Sequence, residues 1–397
     1  MPIPTLTAPN SAGRILIIYA SYGDGHLQAA RAIRDALERQ GVEPKRIKLV
    51  DLMAEANPLL NEVSRRFYMH SYSKMPTLYG WVYDRTRPMK HDSLFGGWLH
   101  SFGKEKLRRL LLSERPDAIV YTFPVFAAPS SRKSLLPHVP TSAVVTDFDL
   151  HCRWVHPHVD RYFVATDELK LELMRLGIAE RRITVSGIPI KQSFTALRPN
   201  PQWFARYGLP EDRPIVLIMA GAAGVMPDVP EVCEALLQDN AVTVALVCGR
   251  NEALASSLRA RFHGQLSTSN GGRLHLFGYV ETIHELMAIA DCLVTKPGGI
   301  TLSEGLATGL PLFIYRPVPG QEKNNALYLH SKGAAHITRN PQELSNAVRS
   351  LLYDPIRLAV HQQAARALGR SGAADTVALD ILRQCLIMEE ASSPTHY

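Results

Sequence analysis

The sequence is poor in cysteine and in long apolar runs, and both shortages exclude classes of protein. Its 397 residues include only five cysteines, and none are paired in a C-x-x-C spacing. Scattered cysteines argue against a disulfide framework or a structural zinc site, and they fit a reducing compartment. The apolar stretch nearest the N-terminus, ILIIYA at 15–20, has six residues, too few for a signal peptide or a membrane span. We therefore expect a cytosolic chain that does not cross a membrane.

Aromatic residues are also scarce, at 8% of the chain, and they are unevenly distributed. Nine of the thirty lie between Arg65 and Arg115, together with eleven Lys or Arg and only four acidic residues. This excess of seven positive charges equals the formal net charge of the whole chain. Cations interleaved with Trp and Tyr suit the interface of an anionic membrane, so we expect an insertion at 62–115 to contact lipid. The residues expected to make this contact are Trp81, Arg85, Arg87, Lys90 and Trp98.

Two other interpretations of this insertion stay open. Its rings could lie in the core of a helical insertion, or its cations and rings could bind nucleic acid. No RNA-binding or DNA-binding motif accompanies them, so we expect no nucleic-acid partner.

Elsewhere the chain alternates short apolar runs with amphipathic segments, which is the pattern of a parallel sheet covered by helices. Each half contains six strand-like runs, and the first run, at 14–20, is followed by a predicted helix at 27–41. A polar, proline-rich stretch at 191–214 is typical of a linker. We predict two Rossmann-like, doubly wound α/β domains, 1–195 and 196–375, facing each other across a cleft. A C-terminal helix and tail, 376–397, should pack back on the first domain.

The stretch TKPGGITLSEGLATGLP, at 295–311, places a proline and two glycines before a predicted helix. Pro297, Gly298 and Gly299 follow a strand-like run, so we expect them at the carboxyl edge of the sheet, where open α/β sheets bind ligands. A helix N-terminus offers unpaired N–H groups and about half a positive charge. The segment therefore predicts a diphosphate site, against the alternative of a plain tight turn.

This segment, extended to PGQEKNNA, resembles the donor-binding segment of the bacterial processive diacylglycerol glucosyltransferases. Their relatives include the plant monogalactosyldiacylglycerol synthases and, more distantly, the peptidoglycan N-acetylglucosaminyltransferase. The similarity runs from about Arg14 to Glu389 and includes SYGDGH, VTDFDLHCRWVHPHVDRYFVATD and GYVETIHELMAIADCLVTKPGG. It implies the glycosyltransferase B fold and an inverting transfer of glucose from UDP-glucose to diacylglycerol. The protein would be peripheral, at the cytosolic face of the membrane, and would need no metal or other cofactor.

The resemblance also implies the residues of the donor site. Backbone amides around Ile300 and Thr301 would stabilise the leaving diphosphate, assisted by Gly221 and Gly224. Glu304 would accept hydrogen bonds from the ribose, although it could instead be an acid favoured by the helix dipole. The remaining expected contacts are with the uracil edge, from Tyr279 and Val280, and with the sugar hydroxyls, from Gln321, Glu322 and Asn325.

An inverting displacement needs a base within hydrogen-bonding reach of the acceptor hydroxyl. The candidates are Asp147, which ends a predicted strand, and His26, which ends the glycine loop GDGH. Resemblance to the plant enzymes favours Asp147 as the base. His26, beside Gly25, would then orient the acceptor or bind an anionic lipid headgroup. The opposite assignment stays open, as does a purely structural role for His26.

Two patterns near Asp147 suggest metals, and we expect neither to bind one. Asp147 and Asp149 form an Asp-x-Asp pattern that binds Mn²⁺ in the other large glycosyltransferase architecture, but the helix terminus already supplies a positive field. His151 and His156 have the spacing of half a zinc site, and no second half is evident.

Three functions follow from the sequence as alternatives. They are a lipid glycosyltransferase using glucose or galactose, a soluble sugar-nucleotide epimerase, and a UDP-sugar sensor without catalysis.

Overall fold

The computed structural model describes residues 13–21, 24–56, 76–87, 104–124, 139–156, 159–195, 197–221, 226–266 and 272–392. The chain divides into two compact units. Unit 1 comprises Met1–Gln192 and Ser371–Tyr397, and unit 2 comprises Ser193–Arg370. Within the described ranges, no helix is long and apolar enough to cross a membrane.

Unit 1 is built on six short parallel strands. They are β1 (Ile15–Tyr19), β2 (Ile47–Asp51), β3 (Ala118–Tyr121), β4 (Thr141–Val144), β5 (Arg161–Val164) and β6 (Ile183–Val185). Their order in the sheet is β2-β1-β3-β4-β5-β6, so the direction of winding reverses between β1 and β3. The carboxyl ends of the strands at such a reversal are where open α/β sheets bind ligands.

Unit 2 repeats this architecture. Its strands are β7 (Ile215–Met219), β8 (Thr243–Val247), β9 (Leu274–Phe277), β10 (Cys292–Thr295), β11 (Leu312–Tyr315) and β12 (Ala335–Thr338). The order β12-β11-β10-β7-β8-β9 is again all parallel, and here the winding reverses between β7 and β10.

The helices of the described residues lie between these strands and after the last of them. In unit 1 and at the start of unit 2 they are α1 (Asp24–Arg39), α2 (Leu52–Ala56), α3 (Pro76–Thr86), α4 (Lys104–Glu114), α5 (Asp167–Arg175), α6 (Pro201–Tyr207), α7 (Val229–Leu237) and α8 (Glu252–Arg261). They continue with α9 (Ile283–Ile289), α10 (Gly299–Thr308), α11 (Gln321–Ser331), α12 (Pro341–Leu352), α13 (Pro355–Leu368) and α14 (Ala373–Ser392). Short 3₁₀ turns lie at Pro44–Arg46, Cys152–Trp154, Glu180–Arg182 and Gln192–Phe194.

Apolar residues on both faces of the unit 1 strands explain why helices cover both sides of the sheet. Ile15 and Ile17 pack with α1 and with the C-terminal helix α14, while Leu16 and Ile18 pack with α4. Helix α14 therefore contributes to the core of unit 1, and Asp375 on it forms an ion pair with Arg39 of α1 at 2.7 Å. Helix α4 also belongs to this core, although it lies within the insertion predicted at 62–115.

In unit 2, helix α10 lies unusually close to the sheet. A Cβ atom at Gly305 would lie 2.7 Å from Leu312 Cδ2 and 3.2 Å from Leu293 Cδ2, so any larger residue would require the buried Leu312 side chain to shift. The N-terminus of α10 is thereby held at the carboxyl edge of β10, beside the reversal in strand order.

Candidate functional site

The unit 1 site is centred on His26, which lies in the first turn of α1. The helix begins at Asp24, so Gly25 and His26 are helical rather than parts of a loop. His26 Nδ1 lies 2.7 Å from the carbonyl oxygen of Thr122 and 3.0 Å from Thr146 Oγ1. Thr122 Oγ1 donates to the His26 carbonyl at 2.9 Å. Because Thr122 follows β3 and Thr146 follows β4, the imidazole is held by strand ends beside the topological reversal.

These contacts fix the tautomer of His26. The Thr122 carbonyl oxygen can only accept, so Nδ1 must carry the proton that it donates. Nε2 is then the nitrogen with a free lone pair, and it has no hydrogen-bond partner among the described residues. Burial lowers the pKa of His26 to about 4, although the Thr122 carbonyl opposes this shift. The imidazole is therefore neutral at physiological pH and is suited to accept a hydrogen bond.

The lowered pKa predicts how His26 affects stability. An unfolded histidine has a pKa near 6.5, so between about pH 6.5 and 4 the unfolded chain binds the proton more tightly than the folded chain does. The contribution of neutral His26 is present above pH 6.5 and is lost as the pH falls toward 4. We expect His26→Asn to make the loss of unfolding free energy between pH 7 and pH 4.5 smaller by about 2 kcal/mol, measured by urea unfolding. The same substitution at the exposed His263 is the control, and an equal change there would contradict the assignment.

Asp147 is buried on a bend three residues beyond the end of β4. The preceding residue, Thr146, contacts His26, so both base candidates belong to the same edge of the unit 1 sheet. Asp149, two residues further on, accepts hydrogen bonds from Tyr83 Oη at 2.8 Å and Arg87 Nη2 at 2.7 Å. One carboxylate of the Asp-x-Asp pattern therefore already binds protein groups.

His151, one of the two histidines of the other pattern, also contacts protein groups. His151 Nδ1 accepts from the Arg153 amide at 3.1 Å, and its Nε2 lies 3.3 Å from Thr86 Oγ1. Burial, with Arg153 and Arg87 nearby, lowers the pKa of His151 to about 3. Across the part of the chain that the structure describes, no group of three or more His, Cys, Asp or Glu is arranged to hold a metal ion.

The residues predicted to contact lipid divide into different environments. Trp81 and Arg85 are exposed on α3, and 63% of Trp81 is accessible to solvent. The Arg87 guanidinium instead forms an ion pair with Asp149 and lies 3.5 Å from Glu172. Lys90 and Trp98 lie outside the described residues.

The unit 2 site is centred on the N-terminus of α10. Gly298 is the N-cap residue, and the Leu302 amide donates to its carbonyl oxygen at 3.0 Å. The amides of Gly299, Ile300 and Thr301 belong to the first turn, where a helix has no acceptors of its own. This turn directs N–H groups and the positive end of the helix dipole beyond the edge of the sheet, as the sequence predicts.

Two side chains of α11 brace the turn before α10. Asn325 is fully buried and its Nδ2 donates to the Pro297 carbonyl at 3.1 Å, so the structure uses it to hold the turn rather than exposing it to a sugar. Glu322 Oε1 lies 3.5 Å from Lys296 Nζ. The Lys296 side chain packs against Gly221, where a Cβ atom would lie 3.2 Å from Lys296 Cε. The φ of Gly221 is +85°, a conformation that favours glycine. A cation therefore lies where β7 and β10 end.

The remaining donor-site predictions belong to several elements of unit 2. Glu304 is buried and is the sixth residue of α10. Gln321 is the first residue of α11. Tyr279 and Val280 follow β9, and the guanidinium of Arg250 lies 4.6 Å from the centroid of the exposed Tyr279 ring. Gly224 lies outside the described residues.

The sequence reasoning missed several residues of these sites. Thr122 and Thr146 gave no signal because single threonines after strands are common. Lys296 was visible in the TKPGG stretch, but only the structure relates it to Gly221 and Glu322. Asp149 was considered solely as a metal ligand.

Two units of this kind, each with a parallel sheet and a polar site at its topological reversal, define a protein of the glycosyltransferase B fold. Solved structures support the fold. The MnaA–UDP structure from S. aureus has a TM-score of 0.61 at 14% identity, covering 97% of this chain and 100% of that one. Anabaena HepE in complex with UDP and glucose has a TM-score of 0.52 at 15% identity, covering 96% and 100%.

Sequence comparison identifies the family. The model for monogalactosyldiacylglycerol (MGDG) synthase matches residues 26–190, and that for glycosyl transferases group 1 matches residues 200–368. A processive diacylglycerol beta-glucosyltransferase of Bacillus pumilus is 38% identical over 94% of this chain and 96% of its own. That of Bacillus licheniformis is 37% identical over 96% and 97%. The chain therefore belongs to the family of processive diacylglycerol beta-glucosyltransferases, which confirms the resemblance and the fold predicted from the sequence.

Proposed function

We propose that this protein transfers glucose from UDP-glucose to the hydroxyl of diacylglycerol, with inversion at the anomeric carbon, in the synthesis of membrane glycolipids. The observation that carries this proposal is the similarity of 37–38% over nearly the full length to enzymes with that name. The word processive in those names supports further transfer to the product, giving a second sugar.

The donor half of the reaction is assigned to unit 2. Cleavage of the bond between sugar and phosphate leaves negative charge on UDP, which fixed donors must stabilise. The first-turn amides of α10, at Gly299, Ile300 and Thr301, are such donors, and the Lys296 ammonium adds positive charge near them. Since these groups are held before the substrate binds, they need little reorganisation during the reaction.

The acceptor half is assigned to unit 1. Asp147 would remove the proton from the acceptor hydroxyl as the sugar–oxygen bond forms. The Nδ1 proton of His26 is already donated to the Thr122 carbonyl. His26 would therefore use Nε2 to accept a hydrogen bond from the hydroxyl of the lipid substrate. A neutral imidazole could also serve as the base, so the two roles require a direct test.

We further propose that the reaction needs no metal ion. The amides of α10 and the Lys296 ammonium provide the positive field that a divalent cation supplies elsewhere. Activity should therefore be unchanged, within about twofold, in excess EDTA, measured as UDP release. Loss of activity in chelator, with recovery on adding Mn²⁺, would contradict this proposal and restore the Asp-x-Asp pattern as a metal site.

The protein would reach its lipid substrate as a peripheral protein at the cytosolic face of the membrane, bound to anionic lipids. Trp81, Val82 and Arg85 form an exposed group on α3, and this group suits the headgroup region. Arg87 is a weaker candidate for this role, because its guanidinium forms an ion pair with Asp149. Lys90 and Trp98 stay candidates on sequence grounds alone.

Replacing residues of this exposed group should weaken membrane binding in two distinct ways. Arg85→Gln should reduce affinity for anionic vesicles about fivefold, because each cation near the surface contributes about 1 kcal/mol, and high salt should remove the difference. Trp81→Ala should reduce binding to neutral vesicles as well, since salt does not screen apolar contact. Vesicle sedimentation measures both effects.

A matched control is Arg259→Gln, which removes an exposed arginine from α8 in unit 2. It should leave vesicle binding unchanged. Equal binding by wild type, Arg85→Gln and Trp81→Ala would mean that the protein reaches lipid through another surface.

The function itself is tested by UDP release with either UDP-glucose or UDP-galactose, in the presence and absence of diacylglycerol vesicles. We expect release that requires both UDP-glucose and diacylglycerol, with glucosyl-diacylglycerol recovered from the lipid phase. Release with UDP-galactose but not with UDP-glucose would identify UDP-galactose as the donor. Sugar-nucleotide isomerisation without lipid would indicate an epimerase, and nucleotide binding without turnover would indicate a sensor.

A further inference from the structure

The end of α3 is fastened to the loop that follows β4 by contacts that the proposed reaction does not by itself require. Arg87 Nη2 and Tyr83 Oη donate to the two carboxylate oxygens of Asp149. Arg87 Nε donates to the Leu150 carbonyl at 3.2 Å, and the Cys152 amide donates to the Arg87 carbonyl at 3.2 Å. We call residues 83–87 and 149–152 the helix–loop junction.

Asp149 is the charged centre of this junction. Only 8% of it is exposed, so its charge depends on donors such as Tyr83 and Arg87. Burial raises the pKa of Tyr83, and the carboxylates of Asp149 and Asp147 raise it further, so the Tyr83 hydroxyl keeps the proton that it donates. Arg87 also lies 3.5 Å from Glu172 and is thus shared between two carboxylates.

The junction adjoins Asp147. Asp149 is two residues away on the same bend, and Thr146 on the other side of Asp147 touches His26. A shift at Asp149 would therefore move the backbone that carries Asp147. The opposite surface of α3 carries the exposed Trp81 and Arg85.

We propose that Asp149 is a positioning residue for Asp147. It fixes the loop after β4 to α3, so that the Asp147 carboxylate keeps a constant position relative to the exposed group of α3. This role rests on the proposed function. In Asp149→Asn the amide keeps the size of the side chain but loses the charge that balances Arg87. Arg87 should then turn toward Glu172 and release the Leu150 carbonyl, which loosens the loop.

The test compares Asp149→Asn with Asp84→Asn, the same change at an exposed position of α3. With UDP-glucose and a detergent-dispersed short-chain diacylglycerol, Asp149→Asn should lower kcat roughly 10- to 100-fold, as expected when a reacting group is displaced by about 1 Å. KM for UDP-glucose should stay within about twofold, because the proposed donor site lies in unit 2. Asp149→Glu, which keeps the charge, should recover part of the rate, and Asp84→Asn should behave as wild type.

A double-mutant cycle with Arg87→Met tests whether the two residues act as one unit. The double variant should be no slower than the slower single variant, because either change breaks the same contact. Losses that multiply would show independent roles and overturn the proposal.

Other results overturn the proposal in separate ways. A normal kcat for Asp149→Asn removes the positioning role. A fall in kcat matched by equal losses in melting temperature and in the fraction of protein that binds UDP assigns Asp149 to stability alone. A wild-type protein that transfers no glucose to diacylglycerol overturns the proposed function and this role together, whereas normal wild-type transfer leaves the Asp149 variants as the decisive comparison.

Discussion

Asp147→Asn is expected to lower kcat for glucose transfer by roughly 10² to 10⁴ while UDP-glucose still binds. The amide keeps the shape of the carboxylate and can accept a hydrogen bond, but it cannot take up the acceptor proton. The proposed donor residues lie in unit 2, so calorimetry with UDP should give the wild-type affinity. Single-turnover transfer to detergent-dispersed diacylglycerol measures the chemical step without a contribution from vesicle binding.

The comparison variant is His26→Asn, whose amide can still donate to the Thr122 carbonyl. If His26 orients the acceptor, this change should raise the diacylglycerol concentration needed for half-maximal rate and should spare much of kcat. The reverse pattern, with normal turnover in Asp147→Asn and no turnover in His26→Asn at saturating lipid, would make the Nε2 lone pair the base.

The strands were predictable because each is a short apolar run flanked by polar residues, and parallel sheets bury both faces of such runs. All six runs in each unit form strands. The residue at which each strand ends was harder to predict, because the residues that follow a strand continue its apolar composition. The run at 141–147 is an example, since β4 ends at Val144 and Asp147 lies on the bend beyond it.

The side-chain partners were not predictable, because they join residues far apart in the sequence. Arg87 looked like one of many surface cations, yet its partner Asp149 lies 62 residues further on. Asn325 looked like a ligand contact, but the Pro297 carbonyl that it binds is 28 residues away. Local composition carries no information about such pairs, so it overestimates exposed charge and the number of residues that face a ligand.

The position of Glu304 removes the explanation that rested on the helix dipole. The effect of the dipole on an acid is confined to the first turn, and Glu304 is the sixth residue of α10. Glu304 is buried in the second turn, close to the proposed diphosphate site, so the ribose contact that the family resemblance implies is the role to test.

Glu304→Ala is therefore expected to weaken UDP binding by about 1.5 to 3 kcal/mol, the range for a hydrogen bond to a charged group, or roughly 10- to 150-fold in Kd. Calorimetry with UDP and with 2′,3′-dideoxy-UDP separates loss of the ribose contact from general damage to the site. Wild type should bind the dideoxy nucleotide less tightly than UDP, whereas Glu304→Ala should bind both with similar affinity, because the group that recognises the hydroxyls is gone.

Glu252→Ala, which removes an exposed acid from the first turn of α8, is the control and should bind UDP as wild type does. Equal UDP affinity in wild type and Glu304→Ala would exclude Glu304 from the site. A loss that is the same for both nucleotides would mean that Glu304 supports the fold of α10 and does not contact the ribose.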